Sequence, residues 1–194
     1  MKDKRQDWSE HFKYTIIYPP SPLLVQAVGY IENLHKAIDI GGGALKDSRF
    51  LLAKGFETTV IDQAQETKKI AKTISSDKLH CYTTLFVDYH FPINEFDLAS
   101  AMYALPFNLP QDFDKVLINI KKTLVHGGIF VGNFFGINDG WSNRINMTFH
   151  TKKQVESFFS DFNIILLEEK EYNGKTANGQ IKHWHIFNVI ARRI

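Results

Sequence analysis

A single cysteine, Cys81, stands in a chain of 194 residues. It excludes an internal disulfide, fits a reducing compartment, and reads as a structural thiol inside a predicted strand. Excess charge of either sign is also scarce: 23 basic and 21 acidic residues leave a formal net charge of +2. That balance lacks the basic surplus on which a nucleic-acid partner or an anionic membrane would draw. No apolar run is long enough to span a bilayer, and Met1-Lys2-Asp3-Lys4-Arg5-Gln6-Asp7 has no apolar segment behind it. The expectation is a soluble, cytoplasmic protein with neither a nucleic-acid nor a membrane partner. There is no internal repeat and no length for a second substrate domain. Of the 8 histidines, His183 and His185 share a strand face, yet no third or fourth ligand follows at a recognisable spacing, so no metal is expected.

What is present is concentrated in one place. The short apolar run Ala37-Ile38-Asp39-Ile40 ends in Gly41-Gly42-Gly43, an amphipathic stretch follows, and Phe56-Glu57-Thr58-Thr59-Val60-Ile61 stops at Asp62. This reads as strand, glycine turn, helix and strand, the unit that binds nucleoside-containing cofactors at strand carboxyl ends. Asp62 lies about 20 residues past the turn, where a carboxylate ending the second strand can accept ribose hydroxyls. A dinucleotide fingerprint begun at Gly41 would place its third glycine on Lys46, so the turn is a poor pyrophosphate cradle. A nicotinamide-dependent oxidoreductase is thereby disfavoured, and stays open as a weaker alternative.

The remaining pattern is α/β. Residues 1–20 read as an aromatic arm carrying Trp8, Phe12, Tyr14 and Tyr18, and residues 21–194 as the domain itself. Ser21-Pro22 opens a helix, and further helices are expected at about 46–54, 63–74, 109–124 and 151–159, the last from the capping box of Thr151 and Gln154. Strands are expected at about 36–40, 57–61, 79–87, 96–102, 129–135, 163–167 and 181–191. Gly127-Gly128 reads as a helix C-cap, and Asn173-Gly174 with Asn178-Gly179 as the connection between the last two strands. Alternating elements closed by a strand pair give a mostly parallel sheet with an antiparallel edge.

Asp39, Gly41 and Gly43 also match, in register, the acid-x-Gly-x-Gly-x-Gly turn of the class I S-adenosylmethionine-dependent methyltransferases, with Leu45 in place of the last glycine. The chain resembles that family from about Leu23 to its C-terminus. The resemblance implies a Rossmann-like three-layer sandwich, a mostly parallel seven-stranded sheet with an antiparallel C-terminal hairpin, S-adenosyl-L-methionine as cofactor and S-adenosyl-L-homocysteine as product. It implies that Asp39, Gly41, Gly42 and Gly43 face the amino-acid end of the cofactor. Asp62 would bind the ribose hydroxyls, with Gln63 beside the adenine. Asp88 would recognise the adenine amino group next to the Tyr89 backbone, and the segment from Ala101 through Tyr103 to Phe107 would separate cofactor from acceptor. Taken singly, Asp88 also reads as a turn cap, and Asp39 as a buried strand-end carboxylate satisfied by backbone amides. Within the family the chain is most similar to small bacterial methyltransferases of the tellurite-resistance type, through Phe134 to Trp141 and Met147 to Thr151.

Methyl transfer asks the protein mainly for positioning and desolvation, so the pattern identifies no catalytic residue. Tyr103-Ala104-Leu105-Pro106-Phe107 lacks the Asn/Asp-Pro-Pro-aromatic signature of amino-methylating nucleic-acid enzymes, and Cys81 lies away from the acceptor side expected for cytosine C5 chemistry. The acceptor is therefore expected to be a small molecule, with a metalloid oxyanion or a thiol as examples. The alternative is a non-catalytic S-adenosylmethionine sensor. The loop Gly136 to Asn146 carries Asp139, Trp141 and Arg144; with Trp8 and Tyr14 of the arm these are candidates for a lid over the acceptor, against a plain surface loop anchored by one Trp.

Overall fold

The computed structural model describes residues 9–32 and 35–194. Strands β1 (Lys36–Ile40), β2 (Glu57–Asp62), β3 (Leu79–Thr83), β4 (Phe96–Ala101) and β5 (Leu124–Phe135) run parallel, while β6 (Phe162–Lys175) and β7 (Ile181–Arg193) form an antiparallel hairpin. β7 inserts next to β5, giving the order β3-β2-β1-β4-β5-β7-β6 in one seven-stranded sheet. This is the Rossmann-like methyltransferase topology that the resemblance implied.

Side chains alternate across the pleat and feed two cores. On one face, α2 (Pro22–Val28) and α3 (Lys46–Ala53) bury Leu24, Ala27 and Leu51 against Ala37, Leu98, Val131 and Ile190. On the other, α5 (Pro110–Thr123) and α6 (Lys152–Phe158) bury Phe113, Val116, Ile120 and Val155 with Ile38, Ala99, Phe130 and Phe134. Each fully buried Leu, Ile, Val or Phe side chain among these contributes about 1.5–3 kcal/mol. Thr151 caps α6 in the expected capping box with Gln154. Two further short helices, α1 (Ser9–Thr15) and α4 (Gln65–Ala71), lie near the glycine turn through Phe12, Ala44, Ala64 and Ile70, which pack together. Among the described residues no helix is long and apolar enough to cross a membrane.

Several expected boundaries move, each for a local reason. β3 stops at Thr83 rather than near residue 87, because its partner β2 ends at Asp62 and no ladder remains beyond the Asp62–Thr83 pair. Phe86–Asp88 then closes as a single 3-10 turn. α4 starts at Gln65, since the Asp62 carboxylate holds the Ala64 amide in an extended lead-in. Gly127-Gly128 does not cap α5. Leu124 is already extended and paired with Phe96, and the glycines form an excursion inside β5 where the ladder shifts register. Gly127 adopts φ +81°, and a Cβ on Gly128 would stand 2.9 Å from the Val125 carbonyl oxygen. Asn173-Gly174 lies within β6 instead of in the turn; a Cβ at Gly174 would meet the Tyr172 ring at 2.8 Å, so the glycine makes room for that ring. The turn itself is built by Thr176 to Gln180, with Gly179 at φ +85°. Cys81 is half-buried in β3, and burial pushes its thiol above the ordinary range.

Candidate cofactor and acceptor site

Parallel pairing brings the carboxyl ends of β1 and β2 together, and the Gly41 amide donates to the Ile61 carbonyl at 2.8 Å. Two of the three glycines in the turn are required by packing within the protein. A Cβ on Gly41 would come within 2.5 Å of the Ala104 Cβ, and one on Gly42 within 2.5 Å of the Val60 Cγ1. Gly43, at φ +52°, is different: among the described residues the nearest atom to a Cβ there is the Gly41 carbonyl oxygen at 3.8 Å, an ordinary contact, so packing within the protein does not close off its backbone. Leu45, standing where the motif has its last glycine, keeps the left-handed conformation at φ 61°. Its fully buried side chain, worth about 2 kcal/mol, offsets a backbone strain of about 1–2 kcal/mol.

Asp62 ends β2 with its carboxylate turned into the glycine loop. Oδ2 accepts from the Gly43 amide and Oδ1 from the Ala64 amide, both at 2.8 Å. Gln63, between them, is half-buried. Asp39 sits behind the turn at 2% exposure and accepts from the Ser48 hydroxyl at 2.5 Å, a side-chain donor rather than backbone amides. Burial first, and the neighbouring Asp47 second, push its carboxyl up to about 7. Asp88 is exposed and Tyr89 half-buried after the 3-10 turn; with Tyr82, Thr83, Thr84 and His90 they line a hollow of about 440 Å³ at the β3 edge, which does not reach the glycine turn.

Asp39 has a mirror image in His150, whose ring is packed against Phe113 and Phe158 at 4.4 and 5.0 Å, with Nε2 lacking a hydrogen-bond partner among the described residues. Burial lowers His150 to about 4. Asp39, raised from 3.8, contributes stability that is full below about pH 4 and lost as pH rises through 7. His150, lowered from 6.5, contributes stability that is present above that value and lost as pH falls toward 4. The two oppose each other across one window. Relative to the wild type, Asp39→Asn should therefore lose stability on acidification from pH 7 to 5, and His150→Phe should gain it; denaturant unfolding at the two pH values reads the sign.

The loops after β4 and β5 form a second, aromatic side. Tyr103 adopts φ +54°, and its amide donates to the Asn133 Oδ1 at 3.1 Å. Asn133 Nδ2 in turn donates to Asn188 Oδ1 at 2.6 Å, and Asn188 Nδ2 to Glu168 Oε2 at 2.9 Å. This chain across β5, β7 and β6 holds the strained Tyr103 backbone. The sequence reading missed it, although an asparagine inside Phe130 to Phe135 was a signal, because a buried amide needs partners. The Thr148 amide donates to the Pro106 carbonyl at 2.9 Å, tying the two loops together.

Asp139, expected toward the acceptor, is instead an internal anchor at 1% exposure. Its Oδ2 accepts from Lys182 Nζ at 2.5 Å and from the His185 amide at 3.2 Å, and its Oδ1 from the Trp141 amide at 3.0 Å. Lys182 Nζ lies 3.6, 4.4 and 4.7 Å from the ring centroids of Trp184, Trp141 and Phe135. Neither Lys182 nor Trp184 stood out in the sequence. Trp141 does join this wall, and the exposed Arg144 guanidinium stacks over it at 4.4 Å. Burial first, and the neighbouring Tyr172 second, push the Tyr103 hydroxyl up to about 12.

In the arm, Tyr14 is 45% exposed, whereas Phe12 is buried with Ala44 and Ala64 beside the glycine turn. Arg49 ties the arm down by donating to the carbonyls of Ile16 and Ala44, both at 3.0 Å. Trp8 lies outside the described residues. His183 and His185 bond to Glu171 at 2.9 Å and Glu169 at 3.0 Å, and no metal-binding group of three or more side chains gathers among the described residues.

Residues 38–132 match a family model described as a methyltransferase domain. Against curated proteins the sequence has no significant match. Among solved structures the chain is similar to a SAM-dependent methyltransferase from Methanosarcina mazei, with 18% identity and a TM-score of 0.70 over 91% of this chain and 99% of that one. It is similar to TehB from Haemophilus influenzae, with 14% identity and a TM-score of 0.75 over 96% and 66%. A third is Burkholderia thailandensis 1,6-didemethyltoxoflavin-N1-methyltransferase with bound 1,6-didemethyltoxoflavin and S-adenosylhomocysteine, at 16% identity and a TM-score of 0.67 over 89% and 76%. At these identities the likeness is one of fold, and it converges with the matched family model, the sheet order and the glycine turn closed by Asp62. The chain carries a class I S-adenosylmethionine-dependent methyltransferase domain.

Proposed function

We propose that the protein methylates a small-molecule acceptor held against the loops after β4 and β5, with the cofactor lying along Gly43, Asp62 and Asp88. The observation that carries the reading is the Asp62 carboxylate, fixed by two backbone amides at a strand end beside the one glycine of the turn that packing does not close off. Those residues fit S-adenosylmethionine: a carboxylate for vicinal hydroxyls, and a backbone that a chain can approach closely. When bound, the cofactor supplies an activated methyl group on a good leaving group. The chain supplies position and dryness. Asp62 fixes the ribose, Ser48 and Asp39 brace the turn from behind, and the rings around Tyr103 and Trp184 keep water from the transfer. The Burkholderia relative, crystallised with bound 1,6-didemethyltoxoflavin and S-adenosylhomocysteine, supports this acceptor class.

The arm belongs to this proposal as a closing element, through Phe12 rather than Tyr14. Phe12→Ala should weaken S-adenosylhomocysteine binding about tenfold, near 1.4 kcal/mol, while Tyr14→Phe leaves it unchanged. Calorimetry with S-adenosylmethionine, S-adenosylhomocysteine and NAD tests the cofactor: the first two bind and NAD does not. Release of S-adenosylhomocysteine in the presence of a small-molecule acceptor panel tests transfer. Binding without release for any acceptor would point to a sensor.

A further inference from the structure

We infer that the acceptor is a flat, uncharged aromatic or heteroaromatic molecule laid on the wall of rings formed by Tyr103, Phe107, Trp141 and Trp184. The inference rests on the methyltransferase reading and refines its acceptor. The rings are continuous: Tyr103 to Trp184 is 6.2 Å between centroids, Trp184 to Trp141 5.8 Å, and Trp141 to Phe107 6.2 Å. Phe135 lies buried beneath them, 5.8 Å from Trp184. Tyr103 is 43% exposed and the other three are half-buried, so the wall presents ring surface to solvent. Its position is fixed by Ala104, the neighbour of Tyr103, which packs on Gly41 of the cofactor turn. The wall thus begins where the cofactor turn ends. Gly174 extends it, because its missing Cβ admits the Tyr172 ring opposite Trp184 in the β6–β7 register.

Charge decides against an oxyanion. A small anion loses its hydration on such a surface unless cations or aimed donors replace it. The cation built into the wall, Lys182, has a side chain 3% exposed, paired with Asp139 and covered by rings. The exposed Arg144 guanidinium is engaged on the Trp141 ring in a cation–π contact, 4.4 Å from the centroid. What the wall offers is offset and edge-on ring contact, with a tyrosine hydroxyl at its border, which suits a planar neutral partner. In the transfer, a lone pair on a hydroxyl oxygen or ring nitrogen of the acceptor forms the bond to the methyl carbon. The carbon–sulfur bond breaks with its electron pair left on sulfur, and the acceptor proton passes to water.

The test uses the full chain saturated with S-adenosylhomocysteine and titrated calorimetrically with 4-hydroxyquinoline, catechol, tellurite and 2-mercaptoethanol. Either ring compound should bind, and Trp184→Leu should weaken that binding at least tenfold with S-adenosylhomocysteine affinity unchanged, while Trp184→Phe restores most of it. With S-adenosylmethionine, mass spectrometry should find the methylated ring compound. Binding of tellurite or the thiol in place of the rings, binding of none of the four, or ring binding indifferent to Trp184→Leu each overturns the inference. Failure of S-adenosylhomocysteine itself to bind would instead overturn the methyltransferase reading beneath it.

Discussion

Asp62→Ala should weaken S-adenosylhomocysteine binding by about a hundredfold or more in a protein that still folds. Each hydrogen bond from a hydroxyl to a carboxylate is worth about 1.5–3 kcal/mol, and two such bonds to the ribose give at least about 3 kcal/mol, which is two decades in affinity. The variant has a second effect that must be separated from the first. The Gly43 and Ala64 amides both lose their acceptor, so the turn that faces the ligand loosens as the ligand contact disappears. Asp62→Asn separates the two, since its single carbonyl oxygen can serve an amide while the charge is gone; it should lose part of the affinity and little stability. Calorimetry on both variants, beside thermal melts, reads this directly. Wild-type affinity in a folded Asp62→Ala would remove the ribose contact and with it the main support for the site.

The order of elements and the glycine turn closed by Asp62 were legible from sequence because both depend on local chemistry. Asp39-Ile40-Gly41-Gly42-Gly43 and Asp62 announce themselves by residue type at fixed spacing, and the capping box at Thr151 needs only four residues. What escaped depends on partners distant in the chain. Gly174 looked like a turn residue, and became a strand residue because the Tyr172 ring takes the space of its Cβ. Gly127-Gly128 looked like a cap, until the pairing of Leu124 with Phe96 carried the strand back through it. Asp139 was chosen for its loop, yet its partner Lys182 is 43 residues away and buries it. Asn133 and Asn188 acquire meaning only once β7 has inserted beside β5. Short-range pattern thus located the glycine loop proposed for the cofactor, while the ring wall proposed for the acceptor is a product of strand order.

The wall has its own expected weakness. Asp139→Ala should destabilise the protein by about 3–5 kcal/mol, because removing one partner of a buried ion pair strands the other charge. For a chain of this length that lowers the melting temperature by roughly 10 °C. Lys182 would keep its ammonium among the rings of Trp184, Trp141 and Phe135 with no counter-ion, and desolvation already lowers its pKa with Asp139 present. The aromatic faces recover part of that loss, since a desolvated cation over a ring is worth up to about 2 kcal/mol. Lys182→Met should be milder. Asp139 then still accepts from the Trp141 and His185 amides, and the methionine chain fills the same slot between the rings. Adding Asp139→Asn to Lys182→Met removes the last unpaired charge while an amide oxygen remains for the backbone donors, so the double variant should melt above Asp139→Ala and near the wild type. A double-mutant cycle of Asp139→Asn, Lys182→Met and their double by denaturant unfolding gives the coupling. If Asp139→Ala and the double variant lose equal stability, the pair is ordinary loop packing; a recovery of 2 kcal/mol or more, the order expected for a relieved buried charge, makes the Lys182–Asp139 contact the strut that holds Trp141 and Trp184 in line.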